Sequence, residues 1–101
     1  MTIVYDVEVS NEFLTELISI LDHINFQLNN HSSAVKLYNE INKTIDNLTT
    51  YPLRFQTIKE SIRRVKIKNY SIYYSVDEQL RIVNILHILY QGMDISQIAL
   101  G

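Results

Sequence analysis

Between Arg64 and Lys68 the chain alternates strictly: Arg64, Val65, Lys66, Ile67, Lys68. On an extended strand, side chains two apart share a face at about 7 Å spacing. Three cations in that register would grip successive phosphates, or an acidic segment of a protein partner. The bland alternative is a solvated strand face. Arg63 stands immediately before them and either pins the acidic tail at Asp94 or contacts a target. Further on, His87 sits among Ile85, Leu86 and Ile88, and Tyr90 closes that apolar run. Histidine titrates near pH 6.5 when unperturbed, about right for a general acid or base; the other reading is a packed, hydrogen-bonded residue. Tyr90 either donates a proton, stacks on a base, or ends a strand.

The remaining histidines, His23 and His31, read as surface residues, and no two of the three have metal-ligand spacing. There is no cysteine, which removes disulfides, thiolate nucleophiles and Cys-ligated zinc. No metal or other cofactor is expected. The N-terminal stretch lacks a signal-peptide pattern, and no apolar run approaches a membrane span, so a cytoplasmic protein with no membrane partner is expected.

Net charge is only −2 over 101 residues, which argues against a general nucleic-acid binder. Its distribution is uneven. Residues 1–50 hold seven Asp/Glu and two Lys/Arg, and residues 51–101 hold seven Lys/Arg and four Asp/Glu. A basic patch on an acidic body suggests a specific anionic contact. With two glycines, one proline and no polar tract, nothing divides the chain, so residues 1–101 read as one domain.

The elements that must position these residues follow from periodicity. Val4 to Val9 alternates as a strand. Ser10 is a good N-cap, and Leu14, Leu17, Ile18, Leu21, Ile24 and Leu28 recur at helical spacing, predicting a helix over 11–29 with Glu12 and Glu16 in its first turns. A turn at 29–32 follows, with Ser32 or Ser33 capping a second helix over 33–48 that Tyr51-Pro52 ends. The short connection makes the two helices an antiparallel hairpin. Residues 53–61 read as a loop or a short turn of helix. Strands are predicted over 64–68, 70–76 and 80–89, the last apolar enough for burial on both faces. Asp94 starts a short terminal helix. Tyr70, Ile72, Tyr74 and Val76 share the core face of their strand; Tyr73 points the other way. Val83, Ile85 and Leu89 are expected on an outer face open to a partner. The order is β-α-α-β-β-β, an α+β fold in which the helical hairpin covers one face of an antiparallel meander.

That order, with Arg63, Asn69-Tyr70, Tyr74 and the tail Tyr90-Gln91-Gly92-Met93-Asp94 at their positions, resembles the RelE/ParE toxin superfamily, in its plasmid-stabilisation, ParE-like branch. The likeness covers nearly the whole chain and is most specific from Arg63 to Asp94. It implies the growth-inhibiting half of a bacterial type II toxin–antitoxin system, neutralised by a cognate antitoxin that wraps it, as a homodimer or a toxin–antitoxin hetero-oligomer. Two toxic routes are implied: ParE-like poisoning of DNA gyrase, and RelE-like cleavage of mRNA in the ribosome, which would make the chain a metal-independent endoribonuclease. RelE-like toxins use lysines on the first meander strand, an arginine on the second, and an arginine or His-Tyr pair ending the last. Here Arg64, Lys66 and Lys68 match the first part; Ser71 stands where the arginine is expected; Gly92 and Met93 replace the basic tail. His87 and Tyr90 are the candidate catalytic pair, and Arg63, Arg64, Lys66 and Lys68 the candidate target- or phosphate-binding set. A ParE-like action is therefore expected, with RNA cleavage and a degenerate, non-toxic antitoxin-binding module as alternatives.

Overall fold

Ser10 decides how the chain leaves its first strand. In the computed structural model, which describes residues 3–91, β1 (Asp6–Val9) runs parallel to β5 (Ile82–Tyr90), with Val9 beside Ile85. The Ser10 hydroxyl accepts from the Phe13 N–H at 3.0 Å, capping α1 (Asn11–Asp22), and donates to the Leu86 carbonyl at 2.6 Å. One side chain thus starts the helix and ties it to the sheet.

The expected first helix stops at Asp22 as an α-helix and continues as one π-helical turn (His23–Gln27). Asn29, at φ 48°, reverses the chain in the left-handed region that asparagine tolerates. The cap of α2 (His31–Thr50) is Asn30, whose side-chain oxygen accepts from the Ser33 N–H at 3.2 Å. Ser32 and Ser33 therefore lie inside the helix rather than capping it: Asn30 lies outside the helical backbone region and can turn its side-chain oxygen onto the first turn.

The meander forms as expected, with three antiparallel strands: β3 (Ile62–Ile67), β4 (Tyr70–Asp77) and β5. Segment 53–61 is not only loop. It holds the short strand β2 (Thr57–Lys59), which folds onto the start of β3 through Glu60 at φ 52°. The sheet order is β1-β5-β4-β3-β2. The fold is α+β, two helices on a five-stranded mixed sheet. The terminal helix expected from Asp94 lies outside the described residues.

The core sits between the helical hairpin and one sheet face. Phe13, Leu17 and Ile24 from the first helical segment and Leu37, Ile41 and Leu48 from α2 meet Val65, Ile72, Tyr74, Val83, Ile85 and Ile88. Val83 and Ile85 are thus under the helices, not on an outer face. The stripe of the first helix is rotated from its expected phase. Phe13 is buried, whereas Leu14, Ile18 and Leu28 are exposed. The six apolar residues of α1, Phe13, Leu14, Leu17, Ile18, Ile20 and Leu21, wrap too much of this helix for one sheet to cover, and the tether at Ser10 selects which edge faces in. A smaller cluster of Ile62, Tyr73 and Leu89 occupies the second sheet face.

Candidate functional site

β5 is paired on both sides only along its first half. β1 covers Ile82 to Ile85; beyond that, α1 lies along the open edge. A register shift between Tyr73 and Tyr74 places Leu86 as an extra residue, a bulge at the point where the partner changes. Glu16 completes the cover. Its carboxylate accepts from the Ile88 N–H at 3.1 Å and lies 3.0 and 3.2 Å from His87 Nδ1. His87 is therefore a buried side chain with one ring nitrogen engaged by a carboxylate. Sequence reading placed Glu16, with Glu12, as a dipole-favoured acid of the helix's first turns; its role as an edge cap joins residues 71 apart.

Register places Arg64 beside Tyr73 and Tyr73 beside His87, a row across three strands on the second sheet face. Lys66, Ser71 and Leu89 make the next row. Tyr73, Ser71 and Leu89 are buried, and Arg64 and Lys66 are exposed. Lys68 does not continue the period of two. β3 ends at Ile67, and Lys68 takes φ 53° in the two-residue connection to β4. The strand-borne cations are thus Arg64 and Lys66, with Lys68 at the turn beyond them. Strict alternation in sequence continued past the residue where the hairpin had to reverse.

Arg63 points to the other side of β3 from Arg64. Its Nη1 donates to the carbonyls of Leu53 at 3.2 Å and Phe55 at 2.5 Å. The Tyr74 hydroxyl donates to the Pro52 carbonyl at 2.8 Å. Together they hold the connection between α2 and β2, a role for Arg63 that the sequence did not suggest. The Tyr74 phenol is pushed above its ordinary pKa by burial, against the opposing influence of Arg63 and the Phe55 backbone.

Tyr90 lies on the core side of β5, opposite Tyr70, with the rings edge to face at 5.6 Å between centroids. Burial, then the neighbouring Tyr90, raises the Tyr70 pKa. His87 and Tyr90 project from opposite faces of the strand, so β5 itself separates them. Tyr90 instead lines an open cleft of about 1110 Å³ with Ile18, Phe26, Leu28, Asp22 and Tyr70. Phe26 is 73% exposed and Ile18 59%. These residues were missed as a site because they fell within, or beside, a stripe assigned to the core.

Among the described residues the one ion pair is Glu16–His87. All nine Lys/Arg lie among those residues, so none of them is neutralised there by a carboxylate within 4 Å. The described residues contain no group of three His, Cys, Asp or Glu that could hold a metal, and no helix long and apolar enough to cross a membrane.

Comparison with known proteins agrees with this architecture. None of the curated proteins matches the sequence significantly. A chain of the chromosomal ParDE toxin–antitoxin system from P. aeruginosa superposes with a TM-score of 0.73 at 17% identity, over 88% of this chain and 98% of that one. A chain of the archaeal RelE-RelB complex from Pyrococcus horikoshii OT3 gives 0.63 at 17% identity, over 90% and 99%. One from the RelBE2 complex of Mycobacterium tuberculosis gives 0.60 at 16%, over 87% and 99%. At such identities the likeness is one of fold. The family model for the ParE toxin of type II toxin–antitoxin systems, parDE, matches residues 7–95. With nearly the whole described chain inside that match, from β1 through β5, this protein belongs to the ParE toxin family of type II toxin–antitoxin systems.

Proposed function

We propose that this chain is a cytoplasmic toxin that acts by gripping a protein target, DNA gyrase, and is held inactive by a cognate antitoxin. The observation that carries the choice of mechanism is the placement of His87. A metal-free ribonuclease needs a base to activate the 2′-hydroxyl and an acid to protonate the leaving oxygen, both reaching one phosphate. His87 is buried with Nδ1 on Glu16, and Tyr90 stands on the far side of the strand. That pair does not converge, whereas the exposed cations Arg64 and Lys66, with Lys68 beyond them, form a surface suited to binding.

The cleft beside Tyr90 is the antitoxin's docking surface in this reading. Exposed Ile18, Phe26 and Leu28 supply apolar anchors, and Asp22 at the rim favours a basic residue on the incoming segment. Such a contact would combine anchors that are buried with a charge that guides approach.

A RelE-like endoribonuclease remains the second reading, on one specific observation: the row Arg64, Tyr73, His87 crosses three strands on one face. Controlled expression separates the two. Purified protein is added to gyrase supercoiling and DNA-cleavage assays, and in parallel to translating ribosomes with mRNA cut sites read by primer extension. Gyrase inhibition with intact mRNA is the expected result. Codon-positioned cuts with unaffected gyrase would establish the second reading, and neither effect would leave a degenerate antitoxin-binding module.

A further inference from the structure

The loop that follows α2 is tied down along its backbone. The Tyr51 N–H donates to the Asn47 carbonyl and the Arg54 N–H to the Tyr51 carbonyl, closing a turn with Pro52 at its second position. The Tyr74 hydroxyl holds the Pro52 carbonyl, and Arg63 holds those of Leu53 and Phe55. Pro52 is buried, yet the side chains on either side of it turn outward: Tyr51 is 64% exposed and Leu53 44%. With Ile3, 50% exposed, they line an open apolar cleft of about 430 Å³ whose one charged residue is Arg54.

Neither core cluster uses these side chains. Exposed apolar clusters mark contact surfaces, and tyrosine and arginine are the residue types that most often anchor a protein interface. A loop already clamped from the core also loses little freedom on binding.

Location and charge select the occupant. Tyr5, which lines this cleft, leads into β1 beside the start of β5, whereas the cleft assigned to the antitoxin lies where β5 ends, at Tyr90. The nine residues of β5 set the two about 25 Å apart. Two copies of this chain meeting symmetrically here would bring Arg54 against Arg54, in a lining with no carboxylate to offset either. The loop instead continues to Gln56, whose carbonyl accepts from the Arg64 N–H, so it joins the outer edge of the strand that carries the exposed cations. We propose that Tyr51, Leu53 and Arg54 form a docking surface for the toxin's protein target, whose seated segment is apolar with a flanking carboxylate. The inference rests on the toxin reading above, but not on gyrase being the target.

The test uses the full chain with Tyr51→Ala, Arg54→Glu and Arg54→Lys. Val35→Ala is the control; it trims an exposed apolar side chain of α2 about 24 Å away along the helix. Growth inhibition is measured against the level of induced toxin in cells lacking the antitoxin. Affinity for the genomically adjacent antitoxin is measured by calorimetry, and the association state of the purified chain by sedimentation velocity. Tyr51→Ala and Arg54→Glu should each raise the toxin level for half-inhibition about tenfold, as for a lost interface anchor, with antitoxin affinity unchanged. Arg54→Lys, which keeps the charge, should retain part of the activity, and Val35→Ala all of it. A thermal melt of each variant separates lost contact from lost fold. Binding of purified gyrase is followed alongside: inhibition that depends on Tyr51 without gyrase binding would sink the gyrase reading and support this surface. Full growth inhibition by both variants would overturn the proposal. So would an equal loss of antitoxin affinity, which gives the surface to the antitoxin, or a parent dimer that Tyr51→Ala dissociates, which gives it to a second copy. A parent chain that does not inhibit growth would overturn this proposal and the toxin reading together.

Discussion

Tyr74 is fully buried, and its hydroxyl reaches the Pro52 carbonyl across 22 residues of chain. Truncation to alanine should cost about 3–5 kcal/mol in a denaturant titration, through lost burial and a cavity under both helices. A loss below about 1 kcal/mol would mean that the ring carries no core weight. The phenol also sets a limit at high pH. Its pKa is raised in the folded protein by burial, so the fold favours the protonated form. That contribution is complete below the unfolded value of about 10 and is lost as pH rises through the folded value. Stability should therefore fall at alkaline pH, and Tyr74→Phe should make the fall shallower, although Tyr70, also raised, contributes its own share. Equal alkaline slopes for the two proteins would assign the loss elsewhere. The core role of Tyr74 was legible from its strand parity with Ile72 and Val76. The setting of His87 was not, because its carboxylate partner comes from a helix distant in sequence.

At the scale of elements, the weak point of the sheet is the second half of β5, where β1 has ended. An unpaired strand edge invites pairing with another chain. α1 closes it with a single side chain, Glu16, which satisfies the Ile88 N–H and engages His87. Glu16→Ala should destabilise the protein by about 1–3 kcal/mol, the usual range for leaving a buried donor unmet. It should also speed hydrogen exchange at the Ile88 amide more than at Val83, which lies where β1 still covers the edge. Unchanged protection at Ile88 would show that Glu16 is not what closes the edge. The helices themselves were legible from apolar recurrence, but the phase of α1 was not. Phe13 and Leu14 are equally good candidates for burial, and only the tether between Ser10 and Leu86 turns Phe13 inward.

Across the whole molecule, charge and exposed apolar surface are segregated. Cations gather on β3 and the adjoining turns, whereas the open cleft lies between the end of the first helical segment and the β3–β4 turn. Replacing Arg64, Lys66 and Lys68 together with glutamine should leave stability within about 0.5 kcal/mol, as for surface substitutions without packing roles. The same variant should lose growth inhibition on induced expression. Full toxicity would return this strand to a solvated face. Phe26→Ala addresses the other surface and should weaken affinity for the genomically adjacent antitoxin by about 2 kcal/mol, as for a central aromatic anchor. Calorimetry with the purified pair measures this directly, and an unchanged affinity would place the antitoxin elsewhere.

Local periodicity determined much of this protein. Alternation over 64–68 and 70–76 made strands, recurrence every three to four residues made helices, and short connections made both hairpins, because each depends on neighbours within a few residues. Family membership was legible for a related reason: its residues cluster in one stretch of the sequence, Arg63 to Asp94. Only the tertiary structure decided the parallel pairing of β1 with β5, the face that Val83 and Ile85 take, and the meeting of Glu16 with His87. It also decided that Arg63 holds a loop and that Lys68 leaves the strand. These depend on which segments meet across long stretches of chain, and on how a bulge and a turn reset parity, neither of which leaves a local period in the sequence.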